Sequence, residues 1–416
     1  MYRVFKFGGA SVKDAEEIRN LKKILEIYKR EPLIVVISAM GKMTNQLEKL
    51  LDSWYYTPDS LQSNFEVVKN FHLDIARQLE NKPEEITAVL LPVLDRLFEI
   101  VLGENTHNYD KDYDAIVSFG EYLSTQLIST YLNLNGYTNK FACAIELVKT
   151  DDSYREGKID WKETEKAIQN FVAKYPNETI ITQGFIGGTM TGEITTLGRE
   201  GSDFSAAIFA YCLNAQEVII WKDVPGLLNA DPKFYPNAVK LDEISYQEAI
   251  ELAYYGATII HPKTIKPLQN KHIPLFVKSF LVPHEEGSII ADVESSEQIP
   301  SYIFKTEQIL LSIFPKDFSF IAADNLTKIF AYISKNKLKI NLMQNSAVSF
   351  TICMDNKPNR FANLLKDLQE EFIVKYNTNK KLITIRHYTQ EAIDQVIGSR
   401  PVILEQKSRS TLQVVL

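Results

Sequence analysis

The chain has 416 residues, 45% of them hydrophobic, which is ample for two or three compact domains and too many for one. A formal net charge of -7 argues against nucleic acid or an anionic membrane as the main partner. Three widely spaced cysteines (Cys143, Cys212, Cys353), six histidines without metal-ligand spacing, no signal peptide and no bilayer-length apolar run predict a soluble, cytoplasmic protein with reduced thiols and no dedicated metal site.

In chain order, a short apolar strand from Tyr2 to Phe7 runs through Lys6-Phe7-Gly8-Gly9-Ala10-Ser11-Val12 into a helix from Asp14 to Arg30. That helix has acids in its first turn, Lys29 and Arg30 in its last, and Ile18, Leu21, Leu25 and Tyr28 along one side. Leu33 to Ser38 reads as a buried parallel strand, followed by a glycine- and hydroxyl-bearing turn from Ser38 to Asn45. Residues 46–102 have helical periodicity, punctuated by Pro58, Pro83 and Pro92, and predict a helical lobe over part of the sheet. Ala115 to Phe119 reads as another buried strand that continues through Gly120 and Glu121 into a helix. Thr179 to Ile186 is a further strand, and Gly187, Gly188 and Gly192 suggest a hairpin. Then come a loop from Thr195 to Asp203, an apolar helical run from Phe204 to Leu213, and a strand from Glu217 to Asp223. A turn-rich stretch to Lys233 precedes a helix from Tyr246 to Gly256 and the segment Ala257 to Lys271. Near Pro283 to Ser301 the texture turns acidic and poor in large apolar groups, as in a linker. Beyond it, strand, helix, two strands, helix and strand from Ile309 to Tyr376 follow the β-α-β-β-α-β order of a ferredoxin-like module. Leu382 to Leu416 adds a shorter strand, helix and two strands.

Two segments carry the chemistry. Thr195-Thr196-Leu197-Gly198-Arg199-Glu200-Gly201-Ser202-Asp203 sets one guanidinium beside a helix start, where free amides attract anions and arginine grips carboxylate or phosphate with two parallel bonds. Taken alone, the segment also fits an ordinary capped helix with Ser202 as N-cap. Lys6-Phe7-Gly8-Gly9 is the second anion-binding candidate: two glycines let backbone amides approach a phosphate, and Lys6 adds a point charge. It is not a Walker motif, because the lysine precedes the glycines. All these polar turns fall at the carboxyl ends of strands, where open α/β sheets bind ligands.

KFGGASV at 6–12, SAMGKMTN at 38–45, SFGEYLST at 118–125, TQGFIG at 182–187, TLGREGSDFSAA at 196–207, WKDVPGLLNADPK at 221–233 and YGATIIHP at 255–262 follow one another in the order found in aspartokinases. The chain therefore resembles that group of the amino acid kinase family over nearly its whole length. The resemblance implies an α/β fold with a mostly parallel sheet and helices on both faces. It implies a catalytic domain over 1–285, a linker over 286–305 and a ferredoxin-like ACT region over 306–416. It also implies transfer of the γ-phosphoryl group of MgATP to the side-chain carboxylate of L-aspartate. Lys6, Asp203, Gly8 and Gly9 then act in catalysis, and Ser38, Thr44, Glu121, Phe185, Arg199 and Ser202 bind the amino acid. Lys6, Gly8, Gly9, Gly41, Lys222, Asp223, Leu228 and Lys233 would hold the nucleotide, with Mg2+ carried on the phosphates. Phe318, Asn341 and Ser346 fall in the region of amino-acid feedback by an effector such as lysine or threonine, and a homodimer through the ACT regions is expected. Relatives on the same fold that phosphorylate acetylglutamate, glutamate, carbamate or UMP, and a catalytically silent ACT sensor, are the alternatives. The chain departs from the pattern at Ala10, Lys222, Lys233 and Thr258, and in the C-terminal region at Asn341 and Ala347, which stand where lysine-sensitive relatives tend to place acids, while Ser346 keeps their serine.

Overall fold

The computed structural model describes residues 1–29, 31–79, 81–257, 260–294, 299–317 and 319–416. The chain forms two units, one of Met1–Leu227, Lys240–Ile250 and Ile259–Ser295, the other of Leu228–Val239, Glu251–Thr258 and Ser296–Leu416. In the first, β1 (Arg3–Phe7), α1 (Ala15–Ile27) and β2 (Leu33–Ile37) open the fold. The helices α2 (Met43–Tyr56), α3 (Leu61–Gln78), α4 (Pro83–Leu102) and α5 (Tyr109–Leu134) follow. Next come β3 (Asn139–Ala142), α6 (Ala144–Leu147), α7 (Trp161–Lys174), β4 (Thr179–Gln183), β5 (Ile186–Gly188), β6 (Ile194–Thr196), α8 (Gly201–Leu213) and β7 (Glu217–Lys222). β8 (Leu227–Leu228) and α9 (Tyr246–Tyr255) belong in part to each unit, and the first also holds β9 (Lys240–Leu241), β10 (Glu243–Ser245), α10 (Pro262–Asn270), β11 (Leu275–Ser279) and β12 (Ser288–Ala291).

Eight strands make one sheet in the order β10-β12-β11-β7-β1-β2-β4-β3. All its neighbours run parallel except β11 and β12. The five residues of β2, all apolar and β-branched or leucine, are wholly buried, as a central parallel strand requires. Register aligns the carboxyl ends of the central strands: Phe7 lies beside Ile37 and Trp221, and Ile37 beside Gln183. The polar turns leaving β1, β2, β4 and β7 therefore start at one level. Asp14 caps α1 by accepting the Glu17 N–H (2.9 Å), and Ile18, Leu21 and Leu25 face the core. The helix ends at Ile27, before Lys29, and Arg30 lies outside the described residues. Phe5, Phe7 and Trp221 on the sheet share one apolar core with lobe residues such as Leu47, Phe65, Leu90 and Leu97.

Two expectations change here. Ala115–Phe119 is not a strand but lies inside the long helix α5, capped by Asn108, whose Oδ1 accepts the Lys111 N–H. Both sides of α5 are buried, so its apolar residues lose the helical stripe and read as a continuous run, which periodicity cannot tell from a strand. Residues 286–305, read as a linker, contain β12, a strand of the main sheet, and the start of the next long strand.

The second unit holds β13 (Ser301–Pro315), α11 (Ala323–Lys335), β14 (Ile340–Asn345), β15 (Phe350–Asp355), α12 (Pro358–Glu371), β16 (Phe372–Arg386), α13 (Gln390–Val396), β17 (Leu404–Lys407) and β18 (Thr411–Val415). Its six-stranded sheet runs β14-β15-β13-β16-β18-β17 and is antiparallel throughout. The outer half of β13 and the first half of β16 build the β-α-β-β-α-β module, with α11 and α12 on a core of Ile309, Leu311, Ile313, Ile329 and Leu364. The second module is fuller than Leu382–Leu416 alone suggested. Ser301–Lys305 of β13 pairs with Leu382–Arg386 of β16 and supplies a missing strand, so the first module is inserted within the second. A separate core of Tyr302, Ile383, Ile385, Ala392, Val396, Leu412 and Val414 holds this second module. Among the described residues, no helix is long and apolar enough to cross a membrane.

Candidate active site

Lys6 leaves the end of β1 and Asp203 sits in the first turn of α8; Lys6 Nζ lies 2.7 Å from Asp203 Oδ1. Lys222, the last residue of β7, places its Nζ 3.9 Å from Asp203 Oδ2. Burial alone would raise the Asp203 carboxyl, but the charges of Lys6 and Lys222 outweigh it and hold the carboxyl below its ordinary value. One ionised carboxylate thus fixes two ammonium groups at the carboxyl edge of the sheet.

These three residues border a cavity of about 600 Å³. Ser38, Thr44, Glu121, Phe185, Arg199 and Ser202, the expected amino-acid-binding set, line the same space, so Lys6 and Arg199 face one ligand volume. Ser202 is not the N-cap of α8: Glu200 holds that position in a left-handed conformation (φ 55°), and Ser202 Oγ instead stands 2.9 Å from Ser38 Oγ. Phe185 also has a left-handed backbone (φ 68°), with its N–H donating to Ser205 Oγ (2.9 Å). Glu121 projects from the middle of α5, not from a helix start. Its Oε1 accepts the Ala39 N–H (3.3 Å), while the buried Oε2 has no hydrogen-bond partner. Burial pushes the Glu121 carboxyl up to about 8, against the lowering effects of the Ala39 amide and the Lys6 charge. A buried carboxylate oxygen without a donor is costly unless a cation meets it.

The glycines of the first two loops support the cavity without lining it. A Cβ on Gly9 would come within 2.7 Å of Gly41 O, so only glycine lets these loops meet. The Gly41 N–H donates to Gly9 O (3.0 Å), which corrects the expectation that this amide faces a phosphate. Gly8 stands close to the amine: a Cβ there would lie 3.2 Å from Lys6 Nζ. Asp223 is exposed in the turn after β7. Leu228 in β8 and Lys233, whose N–H donates to Asp231 Oδ1 (2.9 Å), belong to the second unit.

Sequence reasoning missed Tyr113, Arg155 and Glu156, which also border the cavity; Thr196, Gly198, Glu200 and Gly201, in the loop singled out from the sequence, line it too. Tyr113 was hidden by the strand reading of α5, and Arg155 lies in a segment with no phosphate or capping signature. In the second unit, Asn341 Oδ1 accepts from Lys305 Nζ (2.7 Å), and its Nδ2 donates to Gln308 Oε1 and Asp355 Oδ1 (both 2.8 Å). Ser346 is exposed and bonded to Ser349. Phe318 and Thr258 lie outside the described residues.

A mostly parallel sheet with two lysines and a helix amino terminus at its carboxyl edge defines an open α/β fold with an anion-binding site where such sheets bind ligands. Residues 1–279 match the profile of the Amino acid kinase family, and the chain belongs to that family. It is 30% identical over 364 residues to Aspartokinase 1, chloroplastic, of Arabidopsis thaliana, across 85% of this chain but only 63% of that relative's length. Aspartokinase 2, chloroplastic, of the same plant is 28% identical over 444 residues, covering 99% of this chain and 80% of the relative. E. coli aspartokinase III in complex with aspartate and ADP (R-state) has the same fold, with a TM-score of 0.85 at 24% identity over 100% of this chain and 96% of that one.

Proposed function

We propose that the chain is an aspartate kinase, moving the γ-phosphoryl group of ATP to the side-chain carboxylate of L-aspartate to give 4-phospho-L-aspartate. The observation that carries this reading is the unpartnered, buried Oε2 of Glu121 on the same cavity as the Lys6–Asp203 pair and Arg199. A lone anion site needs no such acid; an acceptor that carries an ammonium group does. Relatives named as aspartokinases, and a neighbour of the same fold bound to aspartate and ADP, support the choice of acceptor.

No general base is required, because a side-chain carboxylate is already ionised at pH 7. Its oxygen attacks the γ-phosphorus in line, the bond to the bridging oxygen breaks, and ADP leaves with that electron pair. Catalysis is then a matter of positioning two anions and neutralising their charge. Lys6 would meet the transferring group, held in place by Asp203, with Lys222 beside it and the Gly8–Gly9 turn under the phosphates. Glu121 and Thr44 take the ammonium of the acceptor, Arg199 its outer carboxylate, and Ser38, Phe185 and Ser202 shape the wall. Asp203 has its two oxygens turned toward lysine amines and is not offered to a divalent ion. Magnesium would arrive carried by the nucleotide's phosphates and would supply further neutralisation of their charge.

The C-terminal region, a pair of interwoven ferredoxin-like modules, suits a regulatory ACT role: it takes an amino-acid effector such as lysine or threonine and pairs two chains into a homodimer. The three free cysteines suit a cytoplasmic location. A coupled ADP-release assay with aspartate, glutamate, acetylglutamate and no acceptor tests the activity. Turnover with aspartate alone is expected. Turnover with another acceptor points to a different kinase, and none at all to a silent sensor. Sedimentation at several concentrations, with and without lysine or threonine, tests the dimer and the effector.

A further inference from the structure

We propose that Arg155 is a second guanidinium for the acceptor: with Arg199 it brackets the acceptor's outer carboxylate and selects amino acids in which that group is free and charged. The proposal rests on the phosphotransfer reading above and extends it to a residue outside every motif of the sequence.

Arg155 and Arg199 border the same cavity but come from different loops. Arg155 is held from three directions. Its N–H donates to Asp114 Oδ2 (2.9 Å), its guanidinium lies 4.0 Å from the centre of the Tyr113 ring, and Asp110 Oδ1 stands 3.3 Å from one of its nitrogens. The backbone there is left-handed (φ 66°), a conformation that a non-glycine residue keeps only when its surroundings hold it.

The anchor is shared with the other arginine loop. Asp114, fully buried, also accepts the Thr196 N–H (2.8 Å) and the Thr196 hydroxyl (2.7 Å), three residues before Arg199. Gly157 N–H donates back to Thr196 O (2.9 Å), and a Cβ on Gly198 would sit 3.1 Å from Arg155 O. One carboxylate therefore fixes the spacing of two loops that each carry a guanidinium. Asp114 precedes Glu121 by two helical turns on the same side of α5, roughly 10 Å along the helix axis. A single rigid helix thus carries both the ammonium acceptor and the anchor of the carboxylate clamp.

Energetics favour ligand exchange at Arg155. Its side chain is 44% exposed and that of Asp110 60%, so their ion pair contributes little. A guanidinium has five N–H donors and can keep Asp110 while gripping a substrate carboxylate. Glu156 and Glu200 border the same cavity, so the loss of either arginine leaves acids facing the incoming carboxylate.

The test uses the full chain and the ADP-release assay, with R155N, which tolerates the left-handed backbone, and R155K. R155N should raise KM for aspartate about 10- to 100-fold, the scale of a lost charge-assisted contact, with kcat and KM for ATP nearly unchanged. R155K should recover part of the loss, since lysine keeps the charge but not the fork. The wild type should discriminate strongly against aspartate α-amide, and R155N should lose most of that discrimination. An active R155N with wild-type KM and undiminished discrimination overturns this inference alone. A wild type that releases no ADP with aspartate overturns the phosphotransfer reading as well. Unchanged thermal unfolding of R155N separates recognition from folding.

Discussion

Lys6 Nζ and Asp203 Oδ1 meet at 2.7 Å, although one residue stands next to last in the first strand and the other lies in the first turn of α8. Their contact joins two distant parts of the chain at the proposed active site. K6A should lower kcat about 100- to 1,000-fold, the usual cost of removing one transition-state charge contact. Breaking a buried ion pair by removing one partner costs about 3–5 kcal/mol. Lys222 remains 3.9 Å from Asp203, so the stability loss of K6A should fall below that range. Steady-state kinetics and urea unfolding check the two effects separately.

Glu121 predicts a pH dependence. Its carboxyl, raised by burial to about 8, carries a proton at neutral pH when no cation faces it. The proton and the substrate ammonium compete for the same oxygen, so KM for aspartate should fall as pH rises through about 8. E121Q should raise KM and flatten this profile. Stability has the opposite trend: a carboxyl raised in the folded state contributes most below its ordinary range, and that contribution is lost as pH rises through the folded value. The stability of E121Q should therefore fall less between pH 5 and 9 than that of the wild type, with a difference on the order of a few kcal/mol in urea unfolding.

Gly120 touches the loop after β2: a Cβ there would fall 2.9 Å from the Ala39 Cβ and 3.1 Å from Leu47 Cδ1. G120A should push α5 away from Ala39 and weaken the bond from its amide to Glu121. Overpacking of this kind costs about 1–3 kcal/mol. The expected result is a lower unfolding midpoint together with a raised KM for aspartate.

In the C-terminal region, Asn341 is engaged on both of its amide atoms by Lys305, Gln308 and Asp355. N341A should destabilise this region by about 1–3 kcal/mol through the three hydrogen bonds it removes. Any response to lysine or threonine should survive that substitution at unchanged effector concentration, since the amide is already satisfied within the chain. Activity titrations of the two proteins against each amino acid provide the check.

The residues that border the cavity were legible wherever a strand end and a turn announced them: Lys6, Ser38, Thr44, Arg199, Ser202 and Asp203 all gather around one space. Phe185 and Glu121 were found through the resemblance, although Glu121 was placed on the wrong local structure. A helix buried on every side has no polar stripe, so α5 resembled a strand, and Tyr113 and Asp114 vanished with it. Arg155 could not be found at all, because it is positioned by Asp114 and Tyr113 from another part of the chain, not by its neighbours in sequence. The same kind of long-range pairing hid the second C-terminal module, whose missing strand, Ser301–Lys305, lies far ahead of the rest.

That borrowed strand has an evolutionary consequence. β13 and β16 each pass through both modules, so the second, outer module cannot be lifted out along a single cut in the gene. Trading the outer module with a relative would require splicing Ser301–Lys305 and the stretch from Leu382 onward at once, and any partial graft would leave torn sheet edges. Change in the outer module is thereby channelled into individual side chains, and new ligand preferences should arise there by substitution, whereas the inserted module, one unbroken stretch, stays open to transplant.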